Sequence, residues 1–170
     1  MLRKISKTMT RRRGGRIAIV ASKYNARYVD SMVRAAEAEL KRGGVGEVRI
    51  IRVPGAFEIP VVAAELAGST PGWDAVICLG VVLRGATTHA QHIGESVSAA
   101  LMELQVQHRV PMIHEVLLLE NRRQAEERCL DPRHNRGREA AQTAMAMAKV
   151  LADLRNLPTA GHPHPASGAP

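Results

Sequence analysis

Aromatic residues are scarce in this chain: one Trp, two Tyr and one Phe in 170 residues, too few for the stacking platforms that hold single-stranded nucleic acid. Cysteine is scarce too. Cys78 in an apolar run and Cys129 in a helical pattern form neither a disulfide framework nor a metal-binding spacing, which points to a reducing, cytoplasmic setting. Although 45% of the residues are hydrophobic, no uninterrupted apolar run approaches the roughly 20 residues of a membrane-spanning helix, so no membrane partner is expected. Acidic residues are missing from residues 1–15, which carry six of the 24 basic ones and account for most of the net charge of +8. The remainder holds 18 basic against 16 acidic residues. The basicity therefore belongs to an N-terminal arm, expected to be a solvated, disordered terminus rather than a nucleic-acid-binding segment. Residues 156–170 lack charge altogether and contain four prolines. They form a second segment disordered by composition, and its His162 and His164 make no metal site.

Between these ends, residues 16–155 are long enough to bury one core as a single domain. The apolar run Arg16-Ile17-Ala18-Ile19-Val20-Ala21 is expected to be a buried strand. It is followed by a loop, Ser22-Lys23-Tyr24-Asn25, and by Val29, Met32, Val33, Ala36 and Leu40 at helical spacing, stopped by Gly43-Gly44. Residues 47–53 give a second strand, and residues 61–67 a helix whose first turn contains Pro60. Residues 74–79 give a third strand, bounded by Gly80, with a loop through Thr88 and a helix from His89 to about His108 in which Met102 fills core. Residues 111–119 give a fourth strand, interrupted by His114 and Glu115, polar residues that need partners in a buried setting. A short helix over 121–129 and a last helix, with Ala141, Ala144, Ala148, Leu151 and Leu154 inward, complete the chain. Strands alternating with helices predict an α/β fold with a four-stranded parallel sheet flanked by helices on both faces.

In such sheets ligands gather beyond the carboxyl ends of the strands, and the first turn of a helix attracts anions. The loop Gly85-Ala86-Thr87-Thr88, between a strand end and a helix start, is thus the expected phosphate cradle. His89 beside it is suited to proton transfer near neutral pH. Tyr24 can stack on a planar ring, and Glu58 can either cap a helix or meet ligand hydroxyls.

Four ordered motifs, Ser22-Lys23-Tyr24-Asn25, Val53-Pro54-Gly55-Ala56-Phe57-Glu58-Ile59-Pro60, Leu79-Gly80-Val81-Val82-Leu83-Arg84-Gly85-Ala86-Thr87-Thr88-His89 and Asn135-Arg136-Gly137, closely resemble the lumazine synthase family from about Arg16 to Leu154. The resemblance implies a flavodoxin-like three-layer sandwich. It also implies condensation of 5-amino-6-(D-ribitylamino)uracil with 3,4-dihydroxy-2-butanone 4-phosphate, the penultimate step of riboflavin synthesis, without metal or organic cofactor. It further implies a homo-oligomer, a pentamer or an icosahedral shell of twelve pentamers, with sites between neighbours. By motif, Tyr24 with Asn25 matches the ring-stacking position, and Ala56, Phe57 and Glu58 match the ribityl-binding segment. Val81, Val82 and Leu83 match the ring pocket, and Gly85, Ala86, Thr87 and Thr88 the phosphate cradle. Arg128 matches the phosphate-binding arginine, Arg136 a basic residue near the ring, and His89 the proton-transfer histidine. His114-Glu115 stands where the family commonly has Phe-Gly, a position given to the neighbour's site, and Leu118-Leu119 replaces a usual pair of threonines. That departure motivates one alternative, a catalytically weak paralogue that binds flavins or lumazines or forms a shell.

Overall fold

The computed structural model describes residues 14–157. Most of the basic arm and the tail from residue 158, with His162 and His164, lie outside the described residues. Four parallel strands, β1 (Arg16–Ser22), β2 (Glu47–Val53), β3 (Ala75–Leu83) and β4 (Met112–Leu119), pair in the order β2-β1-β3-β4. Five helices connect them or follow them: α1 (Ala26–Gly43), α2 (Ile59–Ala67), α3 (His89–His108), α4 (Arg122–Cys129) and α5 (Arg136–Arg155). The architecture is the three-layer α/β sandwich that the resemblance implies.

Alternation along the strands divides the core into two layers. Ile17, Ile19 and Ala21 of β1 and Ala75, Ile77, Leu79 and Val81 of β3 face α1, α4 and α5. Ala18, Val20, Val76 and Cys78 face α2 and α3. Because both faces are covered, the two central strands are apolar at every position from Ile17 to Ala21 and from Ala75 to Leu79, which is what made them visible in the sequence. No helix among the described residues is long and apolar enough to cross a membrane.

Two close approaches need glycine. A Cβ at Gly137 would lie 2.0 Å from the Met32 carbonyl oxygen, so only glycine lets the start of α5 settle on the α1 backbone. In β3, a Cβ at Gly80 would stand 3.2 Å from Val116 and 3.4 Å from both Ala56 and Ile59. The glycine lets the turn carrying residues 56–58 lie against the strand.

Some expectations shift. β3 does not stop at Gly80: pairing with β4 continues through Gly80↔Val116 to Leu83↔Leu119, so Val81, Val82 and Leu83 are strand residues and the loop shrinks to residues 84–88. Met102 is exposed rather than core, because α3 turns that side away from the sheet. On α5, Ala141, Ala144 and Ala148 are buried, whereas Leu154 is exposed.

Candidate active site

The strand order reverses between β1 and β3: the chain leaves β1 for β2 on one side and returns to β3 on the other. The loops at the carboxyl ends of those strands diverge there and leave a crevice. A cleft of about 710 Å³ occupies it, lined by Tyr24 and Asn25 after β1, residues 55–58 after β2, Val81, Val82 and Leu83 at the end of β3, and His89, His92, Ile93 and Ser96 on α3.

Each lining segment is held by identifiable bonds. Asn25 adopts left-handed backbone angles (φ 54°, ψ 40°) just before α1, and its Nδ2 donates to the Val81 carbonyl at 2.7 Å, pinning the β1 loop to the end of β3. The Lys23 and Tyr24 amides donate to the Val53 and Pro54 carbonyls, which joins the same loop to β2. The Glu58 carboxylate accepts from the Gly55 amide at 2.8 Å and closes the turn at residues 56–58. Glu58 is therefore a turn cap in this chain; it also lines the cleft, and its other oxygen makes no hydrogen bond among the described residues. Tyr24 and Phe57 are 74% and 60% exposed, a rare position for two of four aromatics.

Residues 84–88 join Leu83 to His89, both of which line the cleft. All five are exposed, and a Cβ at Gly85 would meet no protein atom, so packing within the chain does not demand glycine there. The loop ends at the first turn of α3, whose leading amides have no partner within the helix. The His89 amide reaches Thr87 Oγ1 at 3.4 Å. Neither the His89 nor the His92 side chain hydrogen-bonds within the described residues. His92, Ile93 and Ser96 were not singled out from the sequence, although they follow His89 by three, four and seven residues and so share its helical face.

His114, Arg128 and Arg136 do not line this cleft. His114 Nε2 lies 2.8 Å from Ser98 Oγ, and that hydroxyl donates to the Gly94 carbonyl, so the imidazole is the donor of the pair and Ser98 is no activated nucleophile. Glu115 points to the opposite face of β4, where Arg136 Nε meets its Oε2 at 3.1 Å. His114 and Glu115 thus find separate partners rather than each other. Asn135 caps α5 by accepting from the Gly137 amide at 2.9 Å and donates from Nδ2 to the Cys129 carbonyl. Arg128, exposed on α4, is close enough to act electrostatically on Glu115 and on Cys129. Burial holds the Glu115 carboxyl above its usual range, against the pull of Arg136. Burial also pushes the Cys78 thiol up to about 12 and Cys129 to about 11, which makes both inert at neutral pH.

The chain is similar to known proteins over most of its length. Residues 14–152 match the family model described as 6,7-dimethyl-8-ribityllumazine synthase. A 6,7-dimethyl-8-ribityllumazine synthase of Stenotrophomonas maltophilia is 40% identical over 141 residues, covering 82% of this chain and 90% of the relative. One of Xanthomonas oryzae pv. oryzae is 40% identical over 138 residues, covering 80% and 89%.

Proposed function

Since the chain belongs to the 6,7-dimethyl-8-ribityllumazine synthase family, it is a transferase that condenses 5-amino-6-(D-ribitylamino)uracil with 3,4-dihydroxy-2-butanone 4-phosphate in riboflavin biosynthesis, and we propose how its own residues carry that reaction. The observation that supports the assignment of roles is the cleft at the β1/β3 reversal, where an exposed aromatic, a capped acidic turn and an unpaired imidazole meet, and whose lining residues Leu83 and His89 flank the open glycine loop.

Tyr24 stacks on the pyrimidine ring, beside Asn25, and the walls formed by Val81, Val82 and Leu83 receive its faces. The turn of Ala56, Phe57 and Glu58 takes the ribityl chain through backbone groups and the free carboxylate oxygen. Gly85, Ala86, Thr87 and Thr88, with the amino end of α3, cradle the phosphate. The uracil amine adds to the ketone, with the amine proton passing to the carbonyl oxygen, and loss of water leaves an imine. Removal of a carbon-bound proton expels inorganic phosphate, and the ribitylamino nitrogen then closes the second ring with loss of a further water. His89 moves these protons, while holding the two substrates together supplies much of the acceleration.

A phosphate leaving group needs a cation, and the described residues lining the cleft include none. Arg128 of a second copy fills that need, with Arg136 of the same copy beside the pyrimidine ring and His114 at the same junction, which makes the protein a homo-oligomer with composite sites. Exposed Val61, Met102 and Val106 on α2 and α3 offer apolar surface for such contacts. A pentamer is the closed ring this implies, and twelve pentamers in an icosahedral shell are its larger form, formed in the cytoplasm. The test is a steady-state assay with both substrates and no added metal, following the lumazine absorbance. Product formation is expected; a folded oligomer that forms none would instead fit the weakly catalytic, flavin-binding or shell-forming alternative.

A further inference from the structure

Two glutamates are almost fully buried, Glu39 at 4% and Glu115 at 8% exposure, and their surroundings treat them differently. Burial opposes the charge on Glu39, but hydrogen bonds from Arg42 and from Gln142 Nε2, the latter at 2.9 Å, outweigh it and hold its carboxyl below the usual range. Glu115 has one guanidinium, at 3.1 Å, and burial wins: its carboxyl is held above the usual range. A buried charge that its partners do not fully compensate is a poor stabilising device, and an apolar or neutral residue would serve the fold as well. The carboxylate does fix one thing, the direction of Arg136.

That arginine is the first residue of α5, immediately after the Asn135 cap. Its guanidinium lies between two carboxylates, Glu115 from β4 and Glu139 one turn along α5. Glu139 is about half exposed and alone would leave the guanidinium free to follow its own helix. The β4 carboxylate ties it to the sheet through Nε while Nη1 reaches Glu139, two separated donors that a lysine could not supply.

We propose that Glu115 is a positioning residue for Arg136, holding its guanidinium in the orientation from which it meets the pyrimidine ring of ribitylaminouracil bound in a neighbouring copy's cleft. The inference rests on the ring-binding role given to Arg136 above. Charged and titratable groups facing Glu115 are Arg136 and Glu139 of α5 and Arg128 and the Cys129 thiol of α4. As pH falls, Glu115 takes up a proton and Arg136 loses its charged tie to the sheet.

The experiment is steady-state kinetics on the full-length protein carrying Glu115→Gln, Glu115→Asp, Arg136→Ala, and Glu115→Gln with Arg136→Ala, alongside thermal melts. Glu115→Gln should raise KM for ribitylaminouracil about tenfold and leave KM for butanone phosphate unchanged, with Tm equal to or above that of the parent. Glu115→Asp should recover part of the loss. The double variant should match Arg136→Ala alone, because a positioning residue has nothing left to position. An acid-side fall in kcat/KM of the parent should be missing in Glu115→Gln. A normal KM in Glu115→Gln beside a raised one in Arg136→Ala would overturn the positioning role and leave Arg136 its function. Normal kinetics in Arg136→Ala would remove the ring-binding role itself. A lowered Tm with both KM values displaced would make Glu115 merely structural and also overturn the proposal.

Discussion

The two polar regions of this chain are built on opposite principles. Around the β1/β3 reversal the polar and aromatic side chains are exposed and largely unpaired: Tyr24, Phe57, His89 and His92 face open space. Around the start of α5 they are at least half-buried and paired: Arg136 lies between Glu115 and Glu139, and Asn135 separately bonds Ser31, the Cys129 carbonyl and the Gly137 amide. The lining of the first has imidazoles and a carboxylate but no lysine or arginine. The second has two arginines and no cleft. Exposed polar groups hold water until a ligand or partner displaces it, and the contrast is what the proposed composite site would account for.

Breaking the receptive region should have the largest effect. Replacing His89 by Ala removes the proposed proton carrier and should lower kcat by about 10²–10⁴-fold, with Tm unchanged because the side chain is exposed and makes no hydrogen bond among the described residues. Steady-state rates and a melting curve decide it; a rate within twofold of the parent would take His89 out of the chemistry.

Next comes the charged region. Arg128→Ala should raise KM for butanone phosphate about 10- to 100-fold, the worth of a charge-assisted hydrogen bond to phosphate. KM for ribitylaminouracil should barely move. Equal changes in both would mean that the arginine acts through assembly rather than contact.

How much of this division was legible beforehand depended on the range of the interactions. β2 and α3 follow from residues close in sequence: β-branched residues interrupted by Arg49 and Arg52 and followed by a turn in one case, and a loop ending in a helical repeat at His89 in the other. Tyr24, Phe57 and Glu58 followed from their place at the carboxyl ends of parallel strands, whereas Asn25, Ala56, Val81, Val82 and Leu83 came from the resemblance. β3 was cut short because Gly80 looks like a breaker, while the ladder with β4 carries it to Leu83. His92 was overlooked although the three-residue step from His89 signalled it. The Glu115–Arg136 pair spans 21 positions, from a strand to a helix start, and no local pattern announces a contact of that kind. Glu58 admitted two readings, and the bond to the Gly55 amide decides for the cap without removing the free oxygen.

The smallest effect sharpens the same contrast through stability. Burial raises the Glu115 carboxyl pKa, opposed by Arg136. A raised carboxyl favours the protonated form in the fold, so stability is fullest below the ordinary carboxylate pKa and declines as pH rises through the raised value. Glu115→Gln should therefore unfold at about 1 kcal/mol higher cost than the parent near neutral pH and at equal cost in acid, measured by denaturant titration. A destabilised variant at neutral pH would show that the ion pair is a net support of the fold.

The central claim, that the receptive and charged regions meet across a junction between copies, is tested most directly by mixing two defective proteins. His89→Ala keeps its arginines, and Arg128→Ala keeps its cleft. Co-assembled in equal amounts, they should regenerate intact sites at about a quarter of the junctions of a head-to-tail ring, with activity far above the mean of the two parents. Activity no higher than that mean, in oligomers shown to contain both variants, would place His89 and Arg128 in the same copy's site and contradict the account.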